Sequence, residues 1–127
     1  MNNASTKKLQ QLIWIDFLAG SSTALIGILL HRYAVALTGF PYYLIVIIIA
    51  AHILYGSWAL SVAVSSLLPL ARFRLLAYAN VFWGVVSIGL LFCYFAEATW
   101  LGRLLLIIQV PIVGGLGWVE LRVLNEK

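Results

Sequence analysis

The sequence predicts an all-α polytopic membrane protein, a bundle of four transmembrane helices with the fourth helix kinked. Three observations predict it. Four long apolar runs, Leu12–Leu30, Tyr42–Leu68, Leu75–Ala96 and Trp100–Leu121, fill most of the 127 residues. Each reaches the ~20 residues that a helix needs to cross a hydrocarbon core of ~30 Å. Charged residues make up only 9% of the chain and mean hydropathy is +1.05, whereas a water-facing domain carries about 25% charged residues. The loops between the runs are short, about 3 to 11 residues, as in helix–helix connections. A single transmembrane domain over residues 1–127 follows, because nothing outside the runs can form a core.

The first run follows Lys7 and Lys8, a positive flank that a cleaved signal peptide would also carry. Asp16 interrupts its apolar stretch, so no small-x-small cleavage site follows a clean hydrophobic segment and a retained helix is expected. Gly39-Phe40-Pro41 makes the first turn, with Pro41 at the first position of the second helix, where its missing N–H costs nothing. Pro69 is expected to close the second helix and Ala71–Arg74 to form a short basic turn. Glu97-Ala98-Thr99 connects the third run to the fourth. Pro111 lies inside the fourth run, followed by Gly114, Gly115 and Gly117, which predicts a kink and tight packing beyond it.

Basic residues set the orientation. Lys7, Lys8, Arg72, Arg74, Arg122 and Lys127 fall on one side, and Arg32 and Arg103 on the other. The positive-inside rule then places both termini in the cytoplasm of a bacterial inner membrane. Trp14, Tyr33, Phe40, Tyr42, Tyr43, Trp100 and Trp118 lie near run ends, at headgroup level, while Trp58 and Trp83 are deeper and expected between helices. The net charge of +4 is explained by this asymmetry and by lipid phosphate. Nucleic acid is not an expected partner, since no basic stripe is present. The expected partners are membrane lipid and a second copy or another membrane protein.

Polar residues inside the runs are where any chemistry must lie. Asp16, Gly20, Thr23, Gly27 and His31 share one face of the first helix, either as a small-residue packing surface or as the lining of a polar cavity. Asp16 enters the membrane by about 9–12 Å beyond Lys8, at 1.5 Å per residue. An acid there faces the bundle and serves as a structural tie or as a functional group. Arg72, Arg74 and Asn80 are its candidate partners, Asn80 by matching depth. Asn80, Trp83, Ser87, Leu91 and Tyr94 share a face of the third helix.

His52 and Tyr55 stand one turn apart on the second helix, His52 as a proton relay or as a hydrogen-bonded core residue. Gln109 and Glu120, eleven residues or three turns apart, fall on one face of the fourth helix. Glu120 adjoins Arg122, so ion pairing at the cytoplasmic rim is expected. Two groupings result: Asp16, Asn80, Glu120 and Ser65 or Ser66 in the inner half, and His52, Tyr55 and Gln109 in the middle.

No metal and no cofactor are expected. The second histidine, His31, lies at the outer edge, and no HxxxH spacing exists. The single cysteine, Cys93, permits no intramolecular disulfide and reads as a small packing residue. No nucleophile–base constellation points to an enzyme.

The strings Asp16-Phe17-Leu18-Ala19-Gly20, Gly39-Phe40-Pro41, Tyr55-Gly56 with Leu60-Ser61, Asn80 with Trp83, and Glu120 before Arg122 resemble a group of small four-helix bacterial integral membrane proteins of unassigned function. The resemblance spans nearly the whole chain and implies fold and membrane location only. Small multidrug transporters are similar in size but carry an embedded first-helix Glu, absent here. Fluoride channels carry a Thr/Ser/Phe-rich filter, and quinone-linked thiol oxidoreductases a CxxC pair, neither of which this chain has. The sequence favours a structural or partner-binding membrane subunit without catalytic chemistry. The competing reading is a small proton- or ion-coupled transporter or channel that uses Asp16 with His52 or Glu120.

Overall fold

The computed structural model describes residues 3–65 and 69–125. The chain forms α1 (Asn3–Thr38), α2 (Tyr42–Ala63), α3 (Leu70–Tyr94) and a fourth span of α4 (Trp100–Gln109), a π turn (Val110–Gly114) and α5 (Gly115–Leu124). All four spans are long and apolar enough to cross a membrane. Successive spans are antiparallel. Gly20 meets Gly56 and Gly27 meets Ile49 along α1 and α2, while Gly84 meets Gly114 and Ala77 meets Gly117 along α3 and the fourth span. The molecule is thus two helical hairpins packed together, with Lys7, Lys8, Arg72, Arg74 and Arg122 at one end and Arg32 and Arg103 at the other.

The helices depart from the apolar runs at several ends. The first run spans Leu12–Leu30, but α1 covers 36 residues, because hydropathy marks the part fit for lipid and not the extent of helix. At its start Leu9 and Ile13 are fully buried against Ala59, Val62, Phe73, Leu76, Ala77, Val123 and Leu124, so tertiary packing holds a turn that polarity alone leaves open. At its end Gly39 takes a φ of 76° and donates its N–H to the Val35 carbonyl at 2.8 Å, a left-handed glycine stop.

Pro41 caps α2 from outside rather than occupying its first position. Helix α2 ends at Ala63, short of Leu68, and residues 66–68, including Ser66, lie outside the described residues. Pro69 opens α3 instead of closing α2, its carbonyl accepting from the Phe73 N–H at 2.9 Å. The expected turn Ala71–Arg74 is therefore the first turn of α3, since proline is preorganised for a helix start. Helix α3 ends at Tyr94, two residues before Ala96. The fourth span runs on to Leu124, three residues beyond Leu121, because Val123 and Leu124 join the core.

At the end bearing Arg32 and Arg103 the two hairpins are clasped. The Thr99 N–H donates to the Thr38 carbonyl at 2.9 Å. The Thr99 hydroxyl donates to the Leu37 carbonyl and accepts from the Gly102 N–H, capping α4 and tying it to α1 at once. Phe40, Leu44, Ile45, Ala98 and Leu106 fill the space beneath. Thr99→Ala should lower unfolding stability in detergent by about 1 kcal/mol, and Thr99→Ser by much less. Equal losses from the two variants would show that the hydroxyl is not what caps the helix.

Candidate functional site

Each of the four spans contributes one residue to a buried polar cluster: Asp16 from α1, Tyr55 from α2, Asn80 from α3 and Glu120 from α5. Asp16, Asn80 and Glu120 are 1%, 3% and 0% exposed. The Asn80 amide nitrogen donates to Asp16 Oδ1 at 3.1 Å and to Glu120 Oε2 at 3.4 Å. That uses both of its N–H bonds. Asp16 Oδ2, Glu120 Oε1 and the Tyr55 hydroxyl are buried without a hydrogen-bond partner. The two carboxyl groups are direct neighbours, and the Tyr55 hydroxyl borders them. Two facing carboxylate oxygens are both acceptors, so no bond forms between them until one carries a proton.

Close backbone approach positions these groups. A Cβ on Gly20 would lie 3.6 Å from Gly56 Cα, so α1 and α2 run nearly in contact beside Asp16 and Tyr55. A Cβ on Gly117 would lie 2.7 Å from both the Ala77 carbonyl oxygen and Asn80 Cβ. Glycine there lets α5 press against α3 one turn before Glu120. Below the cluster, toward the chain termini, sits the core around Leu9, Ile13 and Phe73.

No basic side chain pairs with either acid among the described residues. Arg72 donates to the Ser61 hydroxyl and lies over Trp58, and Arg74 donates to Asn125 Oδ1 at 3.0 Å. Of the three candidate partners for Asp16, only Asn80 pairs with it. Glu120 is not a rim residue ion-paired with Arg122. It points into the bundle, and Arg122 lies over the Trp118 ring at 5.3 Å. Helix positions two residues apart diverge by about 200°, so Glu120 can face the core while Arg122 faces the surface. Ser65 stays outside the cluster, donating to the Ser61 carbonyl at 2.8 Å.

A second polar layer lies further along the bundle. Gln109 Oε1 accepts from Trp83 Nε1 at 3.3 Å and from the Ser87 hydroxyl at 3.2 Å. His52 meets Trp83 edge to face, with ring centroids 5.5 Å apart, and donates its Nδ1–H to the Ile48 carbonyl at 2.8 Å. The expected middle group of His52, Tyr55 and Gln109 therefore divides. Tyr55 joins the carboxyl cluster, while His52 and Gln109 meet through Trp83. Gln109 belongs to this layer and Glu120 to the carboxyl cluster, with the π turn lying between them along the fourth span.

On the first helix, Asp16, Gly20 and Gly27 face inward as expected, with Ala24 buried between them. Thr23 is exposed and donates to its own Ala19 carbonyl. His31 bonds Tyr42 at 2.9 Å near the clasp. Trp58 is 38% exposed and donates to the Arg72 carbonyl, bridging the ends of α2 and α3 rather than packing deep between helices. Two open hollows of about 300 and 260 Å³ follow the outer seam of α1 and α2, and His52 lines the second. Asp16, Asn80 and Glu120 line neither; Asp16 sits in the buried polar cluster.

Among the described residues, no group of three His, Cys, Asp or Glu side chains is placed to hold a metal ion. No family model, curated protein or solved structure matches the chain.

Proposed function

We propose that this chain is a small proton-coupled carrier of the bacterial inner membrane, with both termini cytoplasmic, in which Asp16 and Glu120 bind the transported proton. The observation that carries this reading is the carboxyl pair itself, facing each other and sharing one amide, with a buried unpaired oxygen on each acid. A bundle tie without a transport role is served by an acid paired with an Arg or by a fully satisfied network. Among the described residues no cation offsets the pair, and two bare carboxylates inside lipid cost several kcal/mol each. One proton held between Oδ2 and Oε1 turns two repelling acceptors into a donor–acceptor pair, and its release restores the repulsion. Protonation is thereby coupled to how closely α1 and α5 approach. Location and orientation rest on the basic excess at the terminal end of the bundle and on the resemblance to small bacterial four-helix proteins.

His52 has no part in the proton site, since Trp83 and the Ile48 carbonyl are its partners. Liposomes containing the protein and a pH-sensitive dye, acid-loaded and placed in mixed sodium and potassium salts, should lose their gradient faster than protein-free liposomes. Asp16→Asn and Glu120→Gln should return the rate to that of protein-free liposomes, whereas His52→Phe should keep it. The asparagine and glutamine variants preserve shape, and intact thermal unfolding would separate lost function from lost fold. A wild-type rate no higher than in protein-free liposomes removes the proposal.

A further inference from the structure

We infer that Asp16 Oδ2, Glu120 Oε1 and the Tyr55 hydroxyl form the binding site of a small monovalent cation of the sodium class, taken up in exchange for the shared proton. This inference rests on the proton-coupled reading and names the ion on the other side of the exchange. All three atoms are oxygens, all are buried, and none has a hydrogen-bond partner. The Asn80 amide occupies the other oxygen of each carboxyl group, which leaves Asp16 Oδ2 and Glu120 Oε1 as the oxygens with capacity for an ion. An all-oxygen, anionic donor set selects a hard cation.

Size and charge narrow the choice. Asp16, Asn80 and Glu120 are at most 3% exposed, which leaves no room for an organic ammonium group. A divalent ion such as calcium or magnesium would change the charge of the site on replacing one proton, whereas a monovalent ion keeps it. Few donors of high field strength, in a site held tight by Gly117 against Asn80, favour the smaller of the common alkali ions. The groups facing the site are Asp16 from α1, Tyr55 from α2, Asn80 from α3 and Glu120 from α5. Arg72, Arg74 and Arg122, which lie at this end of the bundle, are engaged elsewhere.

The exchange balances. The proton-bound pair carries one negative charge; loss of that proton and gain of one sodium ion leave one negative charge. The tyrosine keeps its proton and offers a lone pair. One ion therefore replaces one proton without changing the charge of the site, and no further co-reactant is required.

The full chain, purified in detergent in a weakly buffered solution with a pH indicator, should release protons on addition of sodium chloride. Choline chloride at the same ionic strength should release none, and potassium chloride far fewer. Radioactive sodium should bind saturably. Tyr55→Phe should weaken that binding about tenfold or more, as expected when one contact to an ion is removed, and Asp16→Asn or Glu120→Gln should abolish it. Equal proton release by sodium and choline, equal release by potassium, or sodium binding that survives loss of either acid would each overturn the inference. Proton flux in liposomes that ignores sodium would overturn it while leaving the carrier reading intact. An absence of flux in every salt removes the carrier reading, and this inference with it.

Discussion

Replacing Gly39 with valine is expected to lower the unfolding free energy by about 2–5 kcal/mol, the sum of a left-handed backbone penalty and an overpacking penalty. Gly39 holds a φ of 76°, and a Cβ there would lie 2.2 Å from the Glu97 carbonyl oxygen. That oxygen belongs to the backbone of the clasp, so it cannot swing away as a side chain would. The neighbouring contact is equally close, with a Cβ on Gly102 2.2 Å from the Thr38 carbonyl oxygen. Gly89 provides the internal contrast. It sits in α3, and a Cβ added there would meet nothing within 4 Å, so Gly89→Ala should be neutral or stabilise by about 0.5–1 kcal/mol through helix propensity. Thermal unfolding of both variants in one detergent reads the two effects with opposite sign. A Gly39→Val protein as stable as wild type would show that the clasp between the hairpins does not hold.

The second large effect falls on the cluster. Asn80→Ala should cost about 1–3 kcal/mol, because both carboxyl groups lose their donor and remain buried. Hydrogen bonds between membrane helices average only ~0.6 kcal/mol, so a loss above that value marks orphaned acids rather than a missing tie. The diagnostic is non-additivity. In a Glu120→Gln background the new amide can donate to Asp16, and Asn80→Ala should then cost less by at least ~0.5 kcal/mol. Chemical unfolding of the four proteins of the cycle gives the coupling, and strictly additive losses would mean that the three side chains do not act as a unit.

The fold class was legible because membrane helices advertise themselves by length and apolarity, and residues 12–30, 42–63, 75–94 and 100–121 are helical apart from the π turn. Ends were harder. Leu9 lies in a polar stretch ahead of the first run, where it packs with Ile13 against partners from α2, α3 and α5, which no local window contains. Asp16 with Asn80 was legible from depth: two residues at similar heights on inward faces meet if their helices are near. Glu120 was half legible. Its phase placed it with Asp16 and Asn80, while its neighbour Arg122 suggested a rim ion pair instead. Gly117, one turn earlier, was the signal that this end of the helix packs close enough to bury the acid. Tyr55 and His52, one turn apart, could not be sorted from sequence, because only the rotation of α2 against α1 and α3 decides which reaches the carboxyl groups. The π turn itself was legible only as the kink that Pro111 predicts, and Gly84 lies close against Gly114 where it falls.

That π turn makes the chain's length as consequential as its composition. Five residues, Val110–Gly114, accommodate one more residue per turn than regular α-helix would, and each residue of helix is worth about 100° of rotation. Gly115 touches nothing on the side where a Cβ would stand, so by substitution it is among the most forgiving positions in the protein. Its deletion is a different matter. A fourth span shortened there can regularise into continuous α-helix only by turning everything downstream by about one residue's rotation. Glu120 would leave Asp16, and Gly117 would be replaced against Asn80 by a larger neighbour. Lineages descended from this chain should therefore vary freely in side chains along that stretch while holding its residue count fixed.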